Sequence, residues 1–133
     1  MLRLLPPLCW TGLIVYFGGG QWDGAHTAEW LGPLLRALLP AASPEALAAA
    51  HLLIRKAGHI IEYAVLAGLW RRGVGGAWAP LGLGVLTACL DELRQSFTPG
   101  RVGSMVDVLL DGAAAATALG LIALRARLRG AVS

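Results

Sequence analysis

The chain has 133 residues, of which 56% are hydrophobic and only 14% charged, with a mean hydropathy of +0.64 and a formal net charge of +3. One domain fits this length. A charged fraction well below the soluble norm of about 25% leaves too little polar surface to face water on all sides, so lipid is expected to cover most of it. The basic balance does not imply nucleic acid, because the arginines fall at the ends of apolar segments. Cys9 and Cys89 stand singly inside apolar runs with no C-x-x-C spacing, which argues against a disulfide framework or a zinc site.

The first apolar segment, residues 2–18, has Arg3, Pro6 and Pro7 near its start. It has the outline of a signal peptide, but Gly18, Gly19 and Gly20 followed by Gln21 and Trp22 offer no A-x-A-like cleavage site, so an uncleaved anchor is expected. Residues 18–27 read as a loop. Its glycines lack the strand–turn–helix setting of a phosphate-binding loop. Residues 28–40 set Trp30, Leu31, Leu34, Leu35, Leu38 and Leu39 against Glu29 and Arg36, an i, i+3, i+4 pattern that predicts a short helix lying in a membrane interface. Trp22 and Trp30 suit the same boundary.

The second apolar segment, residues 44–71, has Ser43 as N-cap, Pro44 at the first helical position and Glu45 at the positive end of the helix dipole. It is too long for a simple span, so its first turns are expected to stand proud of the hydrocarbon. The third segment, residues 77–97, ends at Phe97-Thr98-Pro99-Gly100, a turn that proline and glycine enforce. The fourth is residues 104–126. A membrane helix needs about 20 apolar residues, which all but the first segment comfortably supply. The expected fold is a single all-α domain over residues 1–133: a polytopic membrane bundle of four transmembrane helices plus one short interfacial helix.

Orientation follows from the basic residues. With the N-terminus inside, Arg3, Arg71, Arg72, Arg125, Arg127 and Arg129 are inner and Arg36, Arg55, Lys56, Arg94 and Arg101 outer. The counts barely differ. Placement discriminates better, because the inner arginines are solitary end-anchors, whereas Arg55, Lys56, Arg94 and Arg101 lie beside acids. All the acids, including Asp23, Glu29 and Glu45, then fall outside, and both termini are expected in the cytoplasm.

Glu62, Asp91, Glu92, Asp107 and Asp111 fall at one predicted end of these apolar helices. A charge at bilayer depth costs at least roughly 2.5–3.5 kcal/mol, and nothing structural requires so many there, so the cluster reads as a site. At 100° per residue, Arg55, His59 and Glu62 lie within about 60° of one another, flanked by Lys56 and Tyr63. Asp91 and Gln95 are i, i+4 neighbours with Glu92 to one side. Asp107 and Asp111 are likewise i, i+4, and Ser104 continues their stripe. His59, Glu62, Asp91, Glu92, Asp107 and Asp111 are the candidates for acid–base work, and Arg55, Lys56, Tyr63, Gln95, Arg101 and Ser104 for substrate binding. His59, Glu62, Asp91, Glu92, Arg101 and Asp107 are expected to meet in one pocket opening to the outer face.

Plainer readings stand beside these. Arg55 reads equally as a snorkelling interfacial residue, and Asp91 with Arg101 as an ion pair holding the turn. The run Ala114–Ala116, Ala118 and Gly120 lets helices pack closely. His26 and His51 read as ordinary surface residues. A divalent metal is compatible with His59 and Glu62 facing Asp91 and Asp107, which is similar to carboxylate-rich sites inside helix bundles. Oxygen ligands would favour Mg²⁺, Ca²⁺ or Mn²⁺ over zinc, while Lys56 and Arg101 neutralise much of the charge.

Two motifs carry a resemblance. Arg55-Lys56-x-x-His59-x-x-Glu62-Tyr63-x-x-Leu66 and Asp91-Glu92-x-x-Gln95-x-Phe97-x-Pro99-Gly100-Arg101-x-x-Ser104-x-x-Asp107-Val108-x-x-Asp111 resemble the VanZ-like family, small polytopic bacterial membrane proteins named for a teicoplanin-resistance protein. The match covers about residues 51–120. The chain departs from the family at Arg94, where His is frequent, and at Ala114, where Gly is common. The resemblance implies a helical protein of the bacterial cytoplasmic membrane with a link to the cell envelope and to glycopeptide-antibiotic resistance, rather than a particular reaction. Three classes compete: an enzyme acting on an envelope lipid or lipid-linked head group, a non-catalytic factor binding such a head group or a partner protein, and, behind both, ion or proton translocation along Asp107 and Asp111. The partners implied are membrane lipid and a lipid-linked envelope precursor, with no nucleic acid. Oligomeric state is left open.

Overall fold

A computed structural model describes residues 2–131. Its described residues form five α-helices and no strand: α1 (Leu5–Phe17), α2 (Gly24–Leu38), α3 (Pro44–Val74), α4 (Trp78–Ser96) and α5 (Met105–Gly130). Single 3₁₀ turns, Leu2–Leu4 and Gly20–Trp22, precede α1 and α2. The sequence dictates the starts. Ser43 caps α3 by accepting the Ala46 N–H at 3.3 Å, with Pro44 next and Glu45 in the first turn. Pro6 and Pro7 occupy the first turn of α1, where a missing N–H costs nothing.

Helices α3, α4 and α5 pack against one another, α1 lies on α3 and α4, and α2 lies on α3. One core cluster joins Ile14, Tyr63, Leu66, Ala88, Val108 and Ala114, with Trp10 and Trp70 against it. A second joins Ala67, Ala115 and Leu119, with Leu81 beside them. Ala67 and Ala115 have no exposed surface, and small residues of this kind let helix backbones approach closely. Trp10 Nε1 donates to the Glu62 carbonyl at 2.9 Å and so ties α1 to α3. Large apolar side chains also cover the outside, among them Leu53, Ile61, Leu90, Leu109 and Leu128, each more than half exposed.

Two local expectations, the loop at residues 18–27 and the setting of His51, are corrected. Residues 18–27 are not loop throughout, because α2 begins at Gly24. Asp23 caps it, accepting the His26 N–H at 2.8 Å, and the His26 ring nitrogen lies 3.0 Å from the same oxygen. The backbone and ring donors of His26 hold the Asp23 carboxyl below its usual range. His51 is not a plain surface residue: its Nε2 meets the Thr27 hydroxyl at 3.1 Å, joining α3 to α2. The buried face of α2 is Thr27, Leu31 and Leu35, leaving Trp30, Leu34 and Leu38 exposed. Of four expected spans, α5 alone among the described residues is long and apolar enough to cross a membrane. Helix α1 has 13 residues, or about 20 Å of rise, and α3 and α4 carry the polar cluster within their length.

Close approach at Ala115 generates a stability prediction. Ala115→Leu inserts a branched side chain where Ala115 Cβ already lies opposite Gly84, and overpacking of this kind costs about 1–3 kcal/mol. Its melting temperature in detergent is expected to fall, while that of Ala116→Leu, one residue along on an exposed face, stays near wild type.

Candidate functional site

The polar residues gather at the end of the bundle where α1 finishes and the α4–α5 turn lies. Helix α3 brings Arg55, Lys56, His59 and Glu62, helix α4 brings Asp91, Glu92 and Gln95, and helix α5 brings Asp107 and Asp111. Backbone geometry builds the turn. Gly100 sits at φ +77°, a left-handed conformation that glycine adopts without strain. Gly103 passes so close to α4 that a Cβ there would run into the Glu92 carbonyl. This approach lets the Ser104 N–H donate to Glu92 Oε2 at 2.8 Å. Arg101 reaches back to the end of α1, donating to the Phe17 carbonyl at 2.9 Å.

Burial is deep. Asp91, Glu92 and Gln95 retain 4–5% of their surface and Asp111 only 1%. Asp91 is held on both oxygens, by Arg94 Nη2 and by Gln95 Nε2, each at 2.7 Å. Lys56 forms an ion pair with Asp107. Arg55 donates to the Trp22 carbonyl at 3.2 Å and to the Thr27 hydroxyl at 3.0 Å. His59 Nδ1 stands 3.5 Å from Asp111 Oδ2, and neither that nitrogen nor Asp111 Oδ1 has a hydrogen-bond partner among the described residues. Burial pulls the Arg101 guanidinium below its usual value, and the charge of nearby Arg55 pulls the same way.

Two adjoining cavities open here rather than one. The larger, about 310 Å³, is walled by Ile14, Phe17, Trp22, Thr27 and Trp30 together with Arg55, His59, Glu62, Asp91 and Arg101. The smaller, about 180 Å³, is bounded by Lys56, Gln95 and Asp107 and shares Arg55, His59 and Arg101 with the first. Glu92 and Asp111 line neither cavity and lie behind His59, with ligand atoms of the three residues mutually within 4.8 Å.

Two of the residues expected to bind substrate, Tyr63 and Ser104, line neither cavity. Tyr63 has no exposed surface and packs with Ile14 and Ala88, its buried hydroxyl without a hydrogen-bond partner among the described residues. Ser104 contributes its backbone N–H to the cluster, and its side chain makes no cap to α5. The anticipated Asp91–Arg101 pair is replaced by Asp91–Arg94, an i, i+3 spacing visible in the sequence. Thr27, Trp22 and Trp30 enter the site as walls and anchors, and the signal for Thr27 was a small polar residue on the buried stripe of α2.

An all-α bundle with buried carboxylates, a histidine and guanidinium groups converging at one end defines the class. Within it, the family model described as VanZ/LLP1 matches residues 4–126, nearly the whole chain, and the protein belongs to that family. No curated protein and no solved structure matches it.

The Lys56–Asp107 pair is testable on its own. Removing Lys56 strands a carboxylate that keeps only 15% of its side-chain surface. Lys56→Met is expected to lower the melting temperature, and Lys56→Met with Asp107→Asn to recover part of the loss. Thermal unfolding of the four proteins in a double-mutant cycle should give a coupling of about 1–3 kcal/mol.

Proposed function

We propose that this VanZ/LLP1 family member is a multi-pass protein of the bacterial cytoplasmic membrane that acts on the head group of an envelope lipid or lipid-linked precursor at its extracytoplasmic face. In this reading α1, α3, α4 and α5 cross the bilayer, α2 lies in the outer interface, and both termini are cytoplasmic. The observation that carries it is the composition of the larger cavity. Aromatic and aliphatic side chains line it together with Arg55 and Arg101. Two guanidinium groups drawn together at the edge of an apolar cavity repel each other, and a phosphate or carboxylate between them relieves that repulsion. The apolar wall suits the first carbons of an acyl or prenyl chain.

Glu62 and Asp91 line the same cavity and His59 borders both cavities. A histidine beside carboxylates is a suitable acid–base pair for chemistry on a bound head group. Segregation of charge supports the orientation. Arg3 and Arg72 share a surface cavity at the end opposite the acids, as the positive-inside rule requires of cytoplasmic ends.

Topology is tested by single cysteines in a background without Cys9 and Cys89. Cysteine at Ala41 is expected to react with a membrane-impermeant maleimide in intact cells, and cysteine at Ala77 only after permeabilisation. Reaction of position 77 in intact cells overturns the orientation.

Head-group binding is tested by mass spectrometry of lipid extracted from protein purified in mild detergent. A stoichiometric anionic lipid is expected with wild type and with Arg127→Ala/Arg129→Ala, and its loss with Arg55→Ala/Arg101→Ala. Equal lipid in all three proteins removes the two arginines from the site.

A further inference from the structure

We propose that His59 of α3, Glu92 of α4 and Asp111 of α5 bind one divalent transition-metal ion, of the zinc or manganese type, immediately behind the larger cavity. The three side chains come from three helices, and one ligand atom from each lies within 4.8 Å of the other two. Ligands at about 2.1 Å from an ion stand about 3.4 Å apart in a tetrahedron and about 4.2 Å apart across an octahedron. Closing this trio onto an ion therefore needs shifts of a few tenths of an ångström to about an ångström, within side-chain reach.

A second, independent feature points to a ligand. Asp111 keeps 1% of its surface, and its Oδ1 has no hydrogen-bond partner among the described residues. His59 Nδ1 is likewise buried and without one. An unmade bond at a buried carboxylate is costly, and a protein this rich in donors had the means to supply one. Its cations are directed elsewhere: Lys56 to Asp107, Arg94 to Asp91, and Arg101 to the Phe17 carbonyl. No lysine or arginine pairs with Glu92 or Asp111 among the described residues.

The surroundings fit ligation. The Ser104 N–H fixes Glu92 Oε2, an outer-shell bond that orients the carboxylate and leaves Oε1 for the ion. One imidazole and two carboxylates suit zinc or manganese better than calcium, which prefers an all-oxygen shell, or copper(I), which prefers sulfur. Three protein ligands leave coordination positions open, the arrangement of catalytic rather than structural metal sites. His59 is the member that also borders both cavities, which sets the ion beside any molecule held there. This ligand set differs from the one the sequence suggests, because Asp91 and Asp107 are already committed to Arg94 and Lys56.

The test uses the full chain, delipidated in detergent and stripped with a chelator. Elemental mass spectrometry after re-equilibration with zinc or manganese chloride is expected to find a single equivalent per chain. The melting temperature should rise with the logarithm of metal concentration, as for any ligand of the folded state, with magnesium and calcium much weaker. Glu92→Gln and Asp111→Asn should each weaken binding by more than the about 10–100-fold that an outer-shell contact is worth, while Asp107→Asn keeps the full equivalent. Because ligation needs deprotonated side chains, the shift should shrink as pH falls. A wild-type protein with no metal-dependent shift overturns the proposal whatever the variants do. So does a shift that persists in Asp111→Asn, and stability that follows pH but ignores metal assigns the trio to a His59–Asp111 ion pair. The delipidated protein keeps this outcome separate from that of the head-group reading.

Discussion

A carboxylate placed among apolar helices needs a donor, a cation or a metal, and that need organises this molecule. Asp111 is the extreme case, with only 1% of its surface exposed at the site end of the bundle. Its position requires α3 to turn His59 toward it and α4 to bring Glu92 alongside. Once those three helices are fixed in rotation, the remaining stripes follow from helical geometry. Lys56 lies one turn above His59 to meet Asp107, itself one turn above Asp111. The packing that permits this is thin: alanines at positions 67 and 115 let α3, α4 and α5 close to a spacing at which short carboxylates can reach across.

Closure of the site from the other side depends on loops rather than on helix packing. The α4–α5 turn needs a left-handed residue at Gly100 and contact with α4 at Gly103, which together deliver the Ser104 amide to Glu92. Arg101 then bridges from this turn to the last residue of α1. Arg55 bridges from α3 to the Trp22 carbonyl and Thr27, at the entry to α2. The end of α1 and the start of α2 are therefore held at the site end by the same two guanidinium groups that line the larger cavity. Those groups spend some donors on structure, yet Arg101 Nε stays buried without a partner among the described residues.

Much of this was legible from periodicity and end signals. The i, i+3 and i, i+4 spacings of Arg55, His59 and Glu62, and of Asp107 and Asp111, set which side chains share a face. Ser43 with Pro44 marked the start of α3 to the residue. The start of α2 was not read, because Asp23 lies in a glycine-rich stretch whose composition suggests loop, while its capping bond to the His26 amide is a local contact that hydropathy does not register. Partner choice was not legible either. Asp91 has candidate cations at Arg94 and Arg101, and only the turn geometry at Gly100 sends Arg101 to α1 and leaves Asp91 to Arg94 and Gln95. Tyr63 shows the same limit from the other side. A stripe taken as one wide face holds Glu62 at a cavity and its neighbour in the core, and the boundary between them is set by where Ile14 of α1 lands.

The separation of the acids into three electrostatic settings has a chemical consequence. Asp107 pairs with Lys56, and Asp91 is held by Arg94 and Gln95, so both charges are compensated within the bundle. Glu62 stands on the larger cavity with His59, where a bound molecule would meet it. Glu92 and Asp111 lie within 4.8 Å of that histidine, and Asp111 Oδ1 has no hydrogen-bond partner among the described residues. Trp22, Trp30, Arg55 and Arg101 line the larger cavity together with His59. The two proposed sites therefore differ in sign, with Arg55 and Arg101 suited to an anion and Glu92 with Asp111 to a cation. A phosphate-bearing head group polarised by a divalent ion needs both signs of charge within a few ångströms, and His59, bordering both cavities and within reach of both buried carboxylates, is the residue at which they meet.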